Sequence, residues 1–350
     1  MNCKDRPYRS LSTGSWFKLI GGASFQDLPA LHNLALVYTL AGADCVDVCA
    51  DPAVIVQVAE AIRLARGMAS AEKSTPGAPL LMVSLNDGAD PHFRKAQFPS
   101  FLCPSECIRP CLQICPVDAI TSEGVIAERC YGCGRCAPVC PIGLITMRPW
   151  EQSVQDIGTM LAAHPVDALE IHTHSGNWAG FQRLWAGLAQ ILPGLKLVAV
   201  SFPNEPGIRE HIEQVCTLIL ASALSEEVKR NLVWQVDGLP MSGDLARGTA
   251  RTAVQFAAHV QGWKLPGHLQ LAGGTNDTSV ALAASEGVHI AGVGYGSYAR
   301  RLVRTEIDGG PLEKHPALLS QAVRRAQALV RQLKPDIAQE GITPWLKLPS

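Results

Sequence analysis

Short runs of β-branched and apolar residues alternate along the chain with longer stretches whose apolar positions return every three or four residues. The short runs lie at 17–20, Cys45–Cys49, 80–84, Ala168–His172, 196–200, 232–236, His268–Ala272 and 288–292. Turn formers such as Gly21-Gly22 and Gly42-Ala43-Asp44 bound them, so each run predicts a strand. Between the strands, Leu31, Leu34, Leu36 and Val37 approximate one helical face, and Val54, Ile55, Val58, Ala61 and Ile62 mark a helix over 52–66. Further helical patterns follow at 154–161, 181–191, 216–229, 244–260 and 279–284, with a last one carrying Ala322, Leu329, Val330 and Leu333. Strand alternating with helix argues for a parallel sheet. Eight such strands close a (β/α)8 barrel, so the predicted fold class is α/β, a TIM-like barrel, with an open doubly wound sheet as the alternative.

The alternation is interrupted once, after the third strand. Eight of the twelve cysteines fall between 103 and 140, as Cys103, Cys107, Cys111, Cys115 and then Cys130, Cys133, Cys136, Cys140, and each run closes on Cys-Pro. The second run has the C-x2-C-x2-C-x3-C-P spacing of bacterial ferredoxins, whose first three thiolates hold one iron–sulfur cluster while the fourth crosses to the other. Gly132 and Gly134 allow the tight loop this requires. A matching apolar tag follows each Cys-Pro, Val117-Asp118-Ala119-Ile120 and Ile142-Gly143-Leu144-Ile145, so the half-domain is repeated. By the crossing rule Cys115, Cys130, Cys133 and Cys136 would bind one 4Fe-4S cluster, and Cys103, Cys107, Cys111 and Cys140 the other. The first run is spaced C-x3-C-x3-C-x3-C, which leaves a 3Fe-4S cluster as the alternative at that end. Zinc knuckles usually present two spaced pairs, and disulfide frameworks suit small secreted domains.

The chain therefore divides into a discontinuous barrel over 1–98 and 150–310, a ferredoxin-like segment over 99–149, and a C-terminal helix and tail over 311–350. The inserted segment follows a strand and precedes its helix, which places it on the carboxyl-end face where barrels carry their chemistry. Several polar residues also follow strands: Asp47, Asp51, Asn86, Asp87, His172, His174, Asn204, Gln235, Asp237 and Asn276. Singly, such residues serve as caps or turn partners; together they outline a pocket at the barrel mouth. Gly273, Gly274 and Asn276 after the seventh strand, and Gly294 and Gly296 after the eighth, could offer backbone N–H groups to a phosphate, with Arg300 or Arg301 adding charge. This resembles the phosphate grip of flavin-mononucleotide (FMN) barrels; plain turns are the alternative. Cys3, Cys45, Cys49 and Cys216 are expected to have no cluster role.

With 350 residues, 47% of them hydrophobic, the chain can bury a large core, and its net charge of −1 gives no general attraction to nucleic acid or acidic lipid. The start, Met1 to Thr13, has no apolar run of a secretory signal or membrane anchor, and a cytoplasmic location is expected. Arg324, Arg325, Arg331 and Lys334 are expected on a solvated helix face. No nucleophile elbow, Walker loop or zinc-protease signature is present.

The Thr13-Gly-Ser-Trp-Phe-Lys-Leu-Ile-Gly-Gly-Ala-Ser24 start, the cysteine window and the Gly273-Gly274-Thr275-Asn276-Asp277 loop together resemble the cyanobacterial light-dependent-period family, iron–sulfur proteins of the circadian input pathway. The resemblance implies a non-catalytic redox sensor that passes the redox and light state of the cell to clock input partners. The competing expectation is an oxidoreductase whose clusters feed a flavin, or another small molecule, at the barrel mouth.

Overall fold

The computed structural model describes residues 6–21, 28–70, 78–88, 94–115, 118–127, 129–130, 134–149, 154–238 and 249–335. Cys3, Gly132 and Cys133 lie outside the described residues. The strands are β1 Trp16–Ile20, β2 Cys45–Cys49, β3 Leu80–Asn86, β4 Arg94–Gln97, β5 Thr146–Pro149, β6 Ala168–His172, β7 Leu197–Pro203, β8 Val233–Asp237, β9 His268–Ala272 and β10 Gly292–Tyr295. Eight of them close a parallel barrel in the order β1-β10-β9-β8-β7-β6-β3-β2, while β4 and β5 form a separate antiparallel pair. The fold is thus the α/β barrel, and the cysteine-bearing segment leaves it between β3 and β6.

The predicted strand positions hold except at the last. Val288–Gly292 was expected to be strand, but β10 begins at Gly292, so Gly294 lies in the strand and Gly296 directly follows it. Glycine weakens a strand unless another group must come close, and that is its use here. A Cβ on Gly292 would collide with the backbone of Trp16, and one on Gly294 would stand 3.0 Å from Ile20 and 3.1 Å from Gln270.

Alternation along the strands sends every second residue to the barrel axis. At the amino end the axis is apolar: Trp16, Cys45, Met82, Ala168, Leu197, Ala199 and Val233 pack together, with Leu11 from the helix Arg6–Ser12 closing that end. One level higher the axis turns polar, with Lys18, Asp47, Glu170, Ser201, Gln235 and Gln270 all buried. The helix Pro316–Val330 packs on the helix Leu28–Ala41. Asn33 donates to the carbonyls of Ile307 and Gly310, and Lys334 pairs with Asp44 at 2.5 Å. Lys334 is therefore buried, where a solvated face was expected. No helix among the described residues is long and apolar enough to cross a membrane.

Candidate functional site

Cysteine sulfur forms much of the small core beneath β4 and β5. Cys111, Cys130 and Cys136 are buried there with Ala96, Ala119, Ile120 and Ile145, and Cys115 and Cys140 pack against them. No disulfide joins the described cysteines. The two halves repeat in backbone as well as in sequence. Two residues before the third cysteine of each run the chain is left-handed, at Arg109 (φ 49°) and Gly134 (φ 73°). Short helices follow, Pro110–Ile114 and Cys136–Val139, and end on Cys115 (φ −74°, ψ 113°) and Cys140 (φ −71°, ψ 114°). Three residues later the chain is left-handed again, at Asp118 (φ 49°) and Gly143 (φ 63°). This lets the next N–H turn back onto the sulfur: Ala119 donates to Cys115 at 3.2 Å and Leu144 to Cys140 at 3.3 Å. The longer spacing of the first run falls before Arg109, so the repeat is intact from the third cysteine onward.

N–H groups also reach Cys107 from Arg109 and Cys130 from Ala96, both at 3.4 Å. Such donors stabilise charge on sulfur and tune a cluster held by it. Burial works to raise the Cys140 thiol, but N–H groups of Ile142, Leu144, Ile145 and Gly143 outweigh it and favour thiolate. Burial pushes the Cys111 thiol up, and Cys140 and Cys103 add to that. Among the described residues no three His, Cys, Asp or Glu side chains are gathered as the ligands of a single metal ion. Thiols spread over two repeated half-loops, each with backbone N–H groups turned onto sulfur, fit an iron–sulfur cluster.

One buried contact ties this segment to the barrel. Lys95 on β4 donates to the carbonyl of Ala127 and stands 3.7 Å from the Asp51 carboxylate. Asp51 follows β2 and accepts from Ala53 N–H at 2.9 Å, capping the helix Pro52–Ser70.

Inside the barrel, Lys18 is the hub. Its ammonium donates to Glu170, to Gln235 at 3.0 Å, and meets Asp47 at 3.1 Å. Glu170 also accepts from Gln235 at 3.0 Å and faces His172 Nε2 at 3.1 Å. Gln235 reaches Ser201, which donates to Asp237 at 2.5 Å, and Ser84 donates to Asp47 at 2.6 Å. Burial works to lower the Lys18 pKa, but Asp47 and Glu170 outweigh it and keep the ammonium charged. Burial works to raise Glu170, yet Lys18 and His172 hold it down at about 2. Asp47, with fewer donors, is pushed up by burial to about 6. Burial opposes charge on His172, but Glu170, Asp237 and Asp47 raise it to about 9.

Asp47, Asn86, His172, Gln235 and Asp237 thus share the inward phase of their strands. Elsewhere, Asp87 accepts from Thr173 and Asn177, exposed His174 pairs with Glu205 at 3.3 Å, Asn204 is exposed, and Asn276 accepts from Thr278. Lys18 and Glu170 were missed, although a charge on the inward phase of an apolar strand was the available signal. Gly273 and Gly274 are left-handed turns (φ 65° and 83°), and Thr249 donates to the Gly274 carbonyl at 2.6 Å. Arg300 donates to the Gly21 carbonyl at 2.7 Å.

Residues 160–332 match the light dependent period A C-terminal domain, and residues 103–150 the light dependent period A iron–sulfur cluster-binding domain. The chain is 44% identical over 341 residues to light dependent period A of Synechococcus elongatus, covering 94% of each. Over 43 residues it is 51% identical to an uncharacterized ferredoxin of Methanocaldococcus jannaschii, 11% of this chain and 28% of that one. Tryptophan synthase of Mycobacterium tuberculosis aligns over 95% of both chains at 13% identity and a TM-score of 0.45, so the barrel assignment stands on the strand order itself. From the match over 94% of each chain and the cluster-binding segment, the chain belongs to the light dependent period A family of iron–sulfur proteins.

Proposed function

We propose that this protein is a redox sensor that relays the redox and light state of the cell to clock input proteins in the cytoplasm. The observation that carries the reading is the repeated half-loop, in which each closing cysteine receives an N–H from four residues on. Two 4Fe-4S clusters would be held, one by Cys115, Cys130, Cys133 and Cys136, the other by Cys103, Cys107, Cys111 and Cys140, where a 3Fe-4S cluster is the alternative. Bound clusters supply one-electron changes of charge. The N–H donors on sulfur respond, because a hydrogen bond to a more negative acceptor is stronger. Ala96 is one of these donors, and its neighbour Lys95 holds Asp51. A change at Cys130 therefore has a short mechanical route through β4 to the barrel. Phe101, Leu102, Ile108 and Ile142 are exposed beside the cysteines and offer apolar surface of the kind a partner protein covers.

The test is binding of a candidate clock input protein to reduced, oxidised and cluster-free protein under anaerobic conditions. Affinity should differ between the states; equal affinity in all three overturns the sensor reading. The absorption spectrum of the same sample examines the rival, because a flavin at the mouth would add a resolved yellow band to the broad cluster absorbance.

A further inference from the structure

At the carboxyl-end mouth, two ends of the polar network and the nearby Asn86 each keep one atom without a partner among the described residues. His172 uses Nε2 on Glu170, Asp237 uses one carboxylate oxygen on Ser201, and Asn86 uses its carbonyl oxygen on Gly88 N–H. The second ring nitrogen, the second carboxylate oxygen and the Asn86 amide nitrogen remain. His172 lies deep among the strand ends, yet its side chain is 36% exposed, so solvent reaches it from the mouth. Asn86 and His172 are register partners on adjacent strands. Asp237 lies two strands further round, since His172 pairs with Ser201 and Pro203 with Asp237.

A purely structural barrel interior would be filled with apolar residues, as the amino-end half of this one is. Replacing a buried ionic network by well-packed apolar groups is often neutral or stabilising. Lys18, Glu170 and Gln235 are therefore poor choices for stability alone. What they do is fix the tilt of His172 and, through Ser201, of Asp237, as supporting contacts fix the groups of a binding site. Lys18 itself is saturated by Glu170, Gln235 and Asp47, so it holds its neighbours and does not present an amine to a ligand.

We infer that the barrel mouth binds a small polar acid carrying a carboxylate together with a hydroxyl or ammonium group, as 2-hydroxy and 2-amino acids do. The two adjacent donors, His172 N–H and Asn86 NH2, receive the carboxylate. The free oxygen of Asp237 accepts from the hydroxyl or ammonium, and its charge disfavours a simple anion. The raised proton affinity of His172 keeps the ring a donor at neutral pH. The site is independent of the clusters and of the sensor reading.

The test is isothermal titration of the cluster-loaded protein with glycolate, lactate, malate, glycine, serine and aspartate. Acetate and propanol serve as controls that carry only one of the two functions. At least one two-function acid should bind about tenfold or more tighter than acetate, and His172→Gln and Asp237→Asn should each weaken it about tenfold or more, as expected for lost charge-assisted hydrogen bonds. Iron content and far-ultraviolet dichroism identify a variant that fails to fold, and Asn86→Ala, outside the ionic network, then carries the same comparison. Acetate binding as tightly as every two-function acid would overturn the inference, as would variants that bind like the parent. No heat from any of the six acids at about 10 mM would also overturn it, since that bounds the affinity below any useful level.

Discussion

Replacing Lys18 by Met removes the ammonium that bridges two buried carboxylates. Lys18 is fully buried, and Asp47 and Glu170 are 3% and 1% exposed, so water cannot substitute for the lost ammonium without opening the barrel. Breaking such a pair from one side costs about 3–5 kcal/mol. Tm falls about 2–4 °C per kcal/mol in domains of about 150–250 residues, which puts the expected drop near 10 °C. The cost should depend on pH. Without Lys18, Asp47 and Glu170 would have folded pKa values raised above their unfolded ones, so the variant is penalised increasingly as pH rises from about 4, by up to about 1.4 kcal/mol per unit and group. Equilibrium urea denaturation followed by far-ultraviolet dichroism at about pH 5 and about pH 8 measures both effects, with the larger loss at the higher pH. Adding Glu170→Gln and Asp47→Asn should recover a substantial part of the loss, because neither carboxylate is then left buried without the ammonium. A Lys18→Met protein within about 1 kcal/mol of the parent at about pH 8 would refute the account of the barrel axis.

Cys111→Ser should remove about half of the bound iron, since in the proposed two-cluster scheme only one cluster loses a ligand, whereas Cys216→Ser, buried in the helix Ile208–Leu220, should retain all of it; an iron and sulfide assay with electron paramagnetic resonance decides. His172 has a folded pKa of about 9, raised by Glu170, Asp237 and Asp47. Its stabilisation should be complete below the unfolded value near about 6.5 and disappear as pH climbs through about 9. His172→Gln should flatten that part of the urea midpoint profile, and an unchanged slope would contradict the assignment. Lys95→Met should leave cluster absorbance intact while abolishing any dependence of partner affinity on cluster state. Gly292→Ala should destabilise by at least about 1–3 kcal/mol, because its Cβ collides with the Trp16 backbone rather than with a yielding side chain.

The sequence alone determined whatever depends on neighbours along the chain. Strand and helix period are local properties, so Cys45–Cys49, Ala168–His172 and His268–Ala272 could be read as strands directly. The cysteine spacing was equally legible, because three ligands of a cluster come from one tight loop. The start of β10 at Gly292 was not, since only the approach of Trp16 explains glycines within a strand. Nor could the chain show that Arg109 and Gly134, unlike in residue type, adopt the same left-handed backbone in the two half-loops. The largest part left to tertiary structure is the charged axis. Lys18 and Glu170 are 152 residues apart, and only barrel closure brings them together; neither residue carries a local signal of its partner, because Coulomb attraction depends on distance in space and periodicity on distance in sequence.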